Sequence, residues 1–247
     1  MVVDRAYTDR DLAELYNPMN PWHPSDDFYL DLVMGAGSVL DVGCGTGVLL
    51  HRAREVGHPG RLCGLDPAAA MLDQARSRTD VEWVHGDLSA VGWEREFDLV
   101  VMTGHAFQVL VDDDELRAAL SAIRSALAEG GRFAFETRNP LARAWERWTT
   151  TEPEEITNAA GDLIRIVTVV ETPVTGDVVH FTDTFTSSRW DEPRTSRSSL
   201  RFLDPDSLRS FLSEADLVVE EQFGDWNRDP LTDTSPEIIT IARAGHR

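Results

Sequence analysis

Residues 39–47 read Val-Leu-Asp-Val-Gly-Cys-Gly-Thr-Gly, a short apolar run that ends in three alternating glycines. This segment constrains the fold more than any other. Five residues from Ser38 to Val42 are too apolar for a surface strand and too short for a core helix, so they predict a strand buried on both faces. Glycines directly after it allow positive φ and close approach of a ligand to the backbone. A following helix would aim its N-terminal amides at electron-rich ligand groups.

The rhythm downstream extends the pattern. Helix is expected over 48–55, strand over 61–65, and a helix opened by Pro67. Strands are expected over 81–84 and 97–103. From Asp112 the spacing of Leu116, Leu120, Ile123 and Leu127 predicts a helix, stopped by Gly130 and Gly131, before a strand over 132–136. Strands alternating with helices imply a parallel sheet covered on both faces. Residues 163–171, 178–187 and 194–203 read as strands with no helix between them, and Thr175-Gly176-Asp177 is a turn signal. An antiparallel insertion over 145–203, acting as a lid, is therefore expected. Asp204 and Pro205 open a further helix with Leu208, Phe211 and Leu212 inward, followed by strands over 218–223 and 237–242. Residues 1–34 read as an N-terminal helical cap. Leu12, Leu15 and Tyr16 have helical spacing, Pro18, Pro21 and Pro24 interrupt it, and a second helix is expected over 26–34. The whole of 1–247 reads as one α/β domain.

Three acids stand at expected strand ends. Asp41 lies in the first strand, Asp66 closes the second, and Asp87, after Gly86, closes the third. In an open parallel sheet, ligands bind outside the carboxyl ends of the strands. A carboxylate at Asp66 suits the two hydroxyls of a ribose, and one at Asp87 suits an adenine amino group. A dinucleotide fingerprint needs Gly or Ala six places into the turn, but Val48 stands there and the third glycine comes one place early, at Gly47.

Taken in order, D-V-G-C-G-T-G, G-L-D-P-A-A-A-M-L, H-G-D-L and F-D-L-V-V-M-T-G-H resemble the class I S-adenosylmethionine-dependent methyltransferases. The resemblance implies a Rossmann-like, doubly wound seven-stranded sheet of order 3-2-1-4-5-7-6, the last strand antiparallel. It also implies S-adenosylmethionine as cofactor and S-adenosylhomocysteine as product. Asp41, Gly43, Cys44 and Gly45 would hold the methionine part. Asp66 and Pro67 would lie at the ribose, Met71 at the adenine face, and Gly86, Asp87 and Leu88 at the adenine edge. Thr103 and Gly104 would lie beside the sulfonium. Tyr16 and Trp22 could cover the cofactor, because aromatic faces attract cations; plain packing is the alternative for both, as it is for Met71.

The acceptor side is less constrained, because methyl transfer mainly requires alignment. His105 is the candidate general base, since its ordinary pKa lies near neutrality. Gln108 is a candidate for orienting a polar acceptor. Glu136-Thr137-Arg138-Asn139-Pro140 is similar to the segment after strand five in methyltransferases of the glycine N-methyltransferase type, which would aim Arg138 or Asn139 at the acceptor. Trp145, Trp148, Phe181, Phe185, Trp190 and Phe202 in the insertion would line an acceptor pocket, form the insertion's own core, or build a homodimer surface. The expected reaction is methylation of a nitrogen or oxygen of a small-molecule metabolite. The alternatives are O-methylation of an organic acid, using Arg138, Arg197 or Arg201, and a non-catalytic binder.

Composition narrows the partners. The formal charge of −20 disfavours nucleic acid, which needs a basic surface; it serves solubility alone or gives a field mildly suited to cationic ligands. No apolar run is long enough for a membrane span. The two cysteines, Cys44 and Cys63, suggest no disulfide framework, which fits the cytoplasm. His23, His51, His58 and His85 lack metal-ligand spacing, so no metal is expected.

Overall fold

The computed structural model describes residues 3–245, so the outermost ends of the expected cap and domain lie outside the described residues. The chain opens with three single-turn helices, α1 (Arg5–Thr8), α2 (Arg10–Ala13) and α3 (Tyr16–Met19), and then α4 (Pro24–Met34). There follow β1 (Ser38–Val42), α5 (Val48–Glu55), β2 (Arg61–Asp66), α6 (Ala69–Ala75), β3 (Glu82–His85), β4 (Phe97–Met102), a 3-10 turn (Ala106–Val109), α7 (Asp113–Ala126) and β5 (Leu127–Arg138). Next come β6 (Glu154–Thr157), β7 (Leu163–Val170), β8 (Val178–Ser187), β9 (Arg194–Arg201), α8 (Pro205–Glu214), β10 (Leu217–Phe223) and β11 (Glu237–Ala244).

The main sheet has the order β10-β11-β5-β4-β1-β2-β3. Strands β1 to β5 run parallel, and β11 runs antiparallel to both β5 and β10. This is the 3-2-1-4-5-7-6 order expected. Alternation sends successive side chains to opposite faces, so the sheet has two cores. Leu40, Val42, Phe133 and Phe135 pack with Leu116, Leu120 and Ile123 of α7 and Leu208 and Leu212 of α8. Val39, Leu99, Val101 and Ala134 pack with Tyr29 and Val33 of α4 and Leu49, Leu50 and Ala53 of α5. Each such buried Leu, Ile, Val or Phe side chain contributes roughly 1.5–3 kcal/mol of transfer free energy. The carboxyl ends of β1, β2, β4 and β5 thus converge on one edge of a rigid sheet.

A second, antiparallel sheet, β6-β7-β8-β9, is built between β5 and α8. Ile164, Ile166 and Phe185 pack on Leu12 and Leu15, so the N-terminal helices are gripped by this sheet. Val170, Val179 and Phe202 pack with Trp145 and Trp148.

Three local expectations are corrected. Pro67 does not open a helix: the Asp66 carboxylate accepts the Ala68 N–H at 2.8 Å, turning the chain once before α6 starts at Ala69. Leu127 is not part of the α7 face, since its extended backbone already begins β5. Gly130 and Gly131 therefore lie within β5 and not at a helix end. Between Phe97 and Leu99 of β4 the partner advances from Leu127 to Arg132, so the glycines occupy an irregularity where the strand bulges away. Strand β6 was not anticipated, because Glu154-Glu155-Ile156-Thr157 carries one apolar residue on an otherwise exposed edge.

Candidate active site

The glycine turn connects β1 to α5. Gly43, Gly45 and Gly47 all have φ between +55 and +76. A Cβ at Gly43 would also stand 3.0 Å from Ala106 Cβ. The amides of Gly43 and Cys44 are tied to the Leu65 carbonyl at 2.8 and 3.2 Å, which fixes the turn against the end of β2. Asp66 adds the second anchor, accepting from Gly45 N–H at 2.8 Å as well as from Ala68. It is 7% exposed, and burial raises its pKa.

Asp41 lies beneath the turn, 1% exposed. Its Oδ1 has no hydrogen-bond partner in the protein. Burial, then the nearby Asp66 and Glu136 charges, push its carboxyl up to about 8. A buried acceptor without a donor costs about 1–3 kcal/mol, so this atom is built to meet a donor from elsewhere. Met71 is buried, its Cε 3.2 Å from the position a Cβ would take on Gly45. Cys44 is buried, and burial pushes its thiol well above the ordinary range, so it is an inert packing group.

Asp87 follows β3 and holds Ser89 through its backbone N–H and hydroxyl, which lowers its carboxyl pKa. Leu88 is buried against the core, Gly86 donates to the Asp66 carbonyl at 3.0 Å, and Pro67 gives its carbonyl to His85. Tyr16 comes over the sheet edge from the N-terminal helices, its hydroxyl 3.5 Å from where a Cβ on Gly104 would lie. Burial and the surrounding carboxylates push that phenol up to about 12. The neighbouring Asn17 accepts from Thr46 Oγ1 at 2.6 Å, latching the N-terminal helices to the glycine turn. Trp22 sits elsewhere: it is 36% exposed, with its indole N–H on Asp27 at 2.8 Å.

Thr103 and Gly104 follow the end of β4 at Met102, and His105 comes next with φ +62. This left-handed backbone is uncommon for a side-chain-bearing residue. It is held by Glu136, whose Oε1 accepts the His105 backbone N–H at 2.7 Å. Glu136 Oε2 accepts from the Tyr29 hydroxyl of α4. The His105 ring then meets Glu237, with Nε2 3.0 Å from Oε2, while Nδ1 lies 4.0 Å from Glu136 Oε1. Burial raises the Glu136 pKa despite His105 and Tyr29.

Gln108, Arg138 and Asn139 are close by but differently engaged. Gln108 is 1% exposed and used at both ends: its amide donates to the Arg201 carbonyl at 2.7 Å, and its oxygen accepts from Arg138 N–H and Nη1. Asn139 is 2% exposed, caps the next turn through Leu141 N–H and donates to carbonyls of Thr232, Asp233 and Ser235. Arg138 lies 5.0 Å from the Trp148 ring, and burial lowers its pKa. Among the described residues, no ion pair to a carboxylate forms on its guanidinium. Arg197 and Arg201, by contrast, are paired with Glu171 and with Asp113 and Asp177.

Sequence reasoning did not single out Tyr29, Glu136 or Glu237 as site residues. Glu136 carries a readable signal, a carboxylate directly after the apolar run Phe133-Ala134-Phe135. Tyr29 and Glu237 are 107 and 132 residues from their partners Glu136 and His105, and nothing local marks them.

Residues 39–131 match the methyltransferase domain family. The 2-phytyl-1,4-naphtoquinone methyltransferase of Thermosynechococcus vestitus is 34% identical over 152 residues, covering 56% of this chain and 66% of that protein. The cypemycin N-terminal methyltransferase of a Streptomyces sp is 32% identical over 128 residues, covering 51% and 46%. The alignments thus span about half to two thirds of these relatives. The sugar N-methyltransferase KedS8 of a Streptoalloteichus sp shares the fold, with a TM-score of 0.73 and 19% identity, covering 94% of this chain and 91% of that one.

Proposed function

We propose that this chain, which belongs to the class I S-adenosylmethionine-dependent methyltransferases, transfers a methyl group to a nitrogen or oxygen of a small-molecule acceptor. The observation that carries the reading is the Asp41 carboxylate, buried under the glycine turn with one oxygen unpaired. That position suits the ammonium of the donor's methionine part. Asp66 at the end of β2 would take the ribose hydroxyls, Met71 would pack at the adenine, and Asp87 with Leu88 would meet its edge. Thr103, Gly104 and the Tyr16 hydroxyl would surround the reacting end.

S-adenosylmethionine supplies a methyl group already activated on a sulfonium. The protein's share is alignment, exclusion of water and proton handling. The N-terminal helices and the second sheet serve as the lid. His105, between Glu136 and Glu237, is the group placed to accept a proton from the acceptor. Nitrogen is the favoured acceptor atom, because the carboxylates at this edge suit a cationic amine. The names of the cypemycin and sugar N-methyltransferases point the same way. Arg138 favours a second reading, O-methylation of a carboxylate, since among the described residues its guanidinium bonds Gln108 but pairs with no carboxylate.

Calorimetric titration with S-adenosylmethionine, S-adenosylhomocysteine and NAD tests the donor. Micromolar binding of the first two, absent for NAD and lost in Asp66→Ala, is expected. A folded protein that binds neither adenosyl ligand would sink the reading. Release of S-adenosylhomocysteine with panels of amines and of carboxylic acids then separates the two acceptor classes.

A further inference from the structure

Glu237 opens β11 directly opposite Arg138 in the β5 register. Its side chain is 16% exposed and aimed at His105. A carboxylate is only an acceptor, so a 3.0 Å contact to Nε2 requires that Nε2 carry the ring proton. We propose that Glu237 is a positioning residue for methyl transfer, fixing the Nε2–H tautomer of His105 so that Nδ1 keeps its lone pair for the acceptor's proton. The inference rests on the methyltransferase reading above. The acceptor's N–H or O–H bond breaks and leaves its electron pair on the acceptor atom. An Nδ1–H bond forms, and the resulting imidazolium lies between the carboxylates of Glu237 and Glu136.

The placement of Glu237 is itself constructed. Asn139 clasps the loop between β10 and β11 through the Ser235 carbonyl at 2.8 Å, and its backbone N–H donates to the Pro236 carbonyl at 3.0 Å. Glu237 N–H then donates to the Gly224 carbonyl at 3.3 Å, across the same loop. At Gly224 a Cβ would stand 2.0 Å from Ser235 Oγ, so only glycine lets the loop close this tightly. Asn139 therefore acts on the site through Glu237. The charged groups that face the ring are Glu136 of β5 and Glu237 of β11; Tyr29 of α4 bonds Glu136, Arg138 of β5 interacts with both carboxylates, and Tyr16 of α3 interacts with Glu136.

The test is nitrogen-resolved NMR of the His105 ring at a pH where it is neutral, alongside steady-state kinetics. Wild type should show the Nε2–H tautomer. Glu237→Gln, whose amide can donate to Nε2, should shift signal toward Nδ1–H and lower kcat about tenfold or more, with donor KM within about twofold. Asn139→Ala should move both readouts the same way but less. Glu237→Gln with an unchanged ring spectrum, or with unchanged kcat, would overturn the proposal. Wild type with the Nε2–H signal intact but no turnover of any acceptor would instead overturn the methyltransferase reading, and with it any role of Glu237 in transfer.

Discussion

Burial places the Asp41 carboxyl between Asp66 and Glu136, where its charge is least welcome, and pushes it up to about 8 from 3.8. Between those values the folded protein holds a proton that the unfolded chain has released. Stability from this group is therefore fully present below about pH 4 and is lost as pH rises through about 8. Asp41→Asn removes the titration while keeping the shape. Thermal melts of the ligand-free proteins should nearly coincide at acid pH. At a pH well above the folded value the variant should be more stable, by about 1–4 kcal/mol. Its affinity for S-adenosylmethionine should fall by about tenfold or more, because a charge-assisted hydrogen bond is gone. Equal melting at both pH values would show that Asp41 is not a buried charge in the free protein. Gln108 gives the opposite case. Its polar type and its place near His105 suggested an acceptor contact, yet both its ends are consumed within the protein. Gln108→Ala should cost about 1–3 kcal/mol of stability, read by denaturant unfolding, through the polar groups it strands.

At the scale of elements, those whose signal is local were readable and those defined by partners were not. The β1 run, the start of α7 and the Asp204-Pro205 start each carry their own physical cause and appear within a residue or so of their expected places, whereas α7 ends at Ala126, short of the expected glycine stop. The N-terminal segment was readable as helical from the spacing of Leu12, Leu15 and Tyr16, but not as three separate single turns, because a four-residue helix completes barely one turn and shows no apolar period of its own. Their stability comes from Leu12 and Leu15 packing on Ile164, Ile166 and Phe185 of the second sheet. The site divides along the same line. Asp41, Asp66 and Asp87 could be named as candidates because each lies in or just after its own local strand signal, whereas Tyr29 and Glu237 reach their partners only through the tertiary fold. Leu15 is 1% exposed, so Leu15→Ala should cost about 2–5 kcal/mol at that contact. The loss should be local. Hydrogen exchange should accelerate over 5–19 and through the Asn17–Thr46 latch, while the strands of the main sheet keep their protection. Uniform acceleration across the sheet would mean that these helices are not a separately opening cover.

For the whole molecule, 43 acidic against 23 basic residues leave a charge of −20, and several of the acids stand at the carboxyl edge of the sheet. Such a field concentrates cations and repels anions over about one Debye length, roughly 30 Å at 0.01 M salt and 3 Å at 1 M. The donor and the spent product of the proposed reaction differ by one positive charge, since the sulfonium becomes a neutral thioether. Their proposed contacts with the glycine turn and the strand-end acids would otherwise be shared. Salt should therefore act unequally on the two. Raising it across that range should weaken S-adenosylmethionine binding several-fold and leave S-adenosylhomocysteine nearly unaffected, as read by calorimetry. The field would then favour exchange of spent product for fresh donor at low ionic strength. An equal response of both ligands would place the discrimination in short-range contacts such as Tyr16, and the net charge would be a matter of solubility alone.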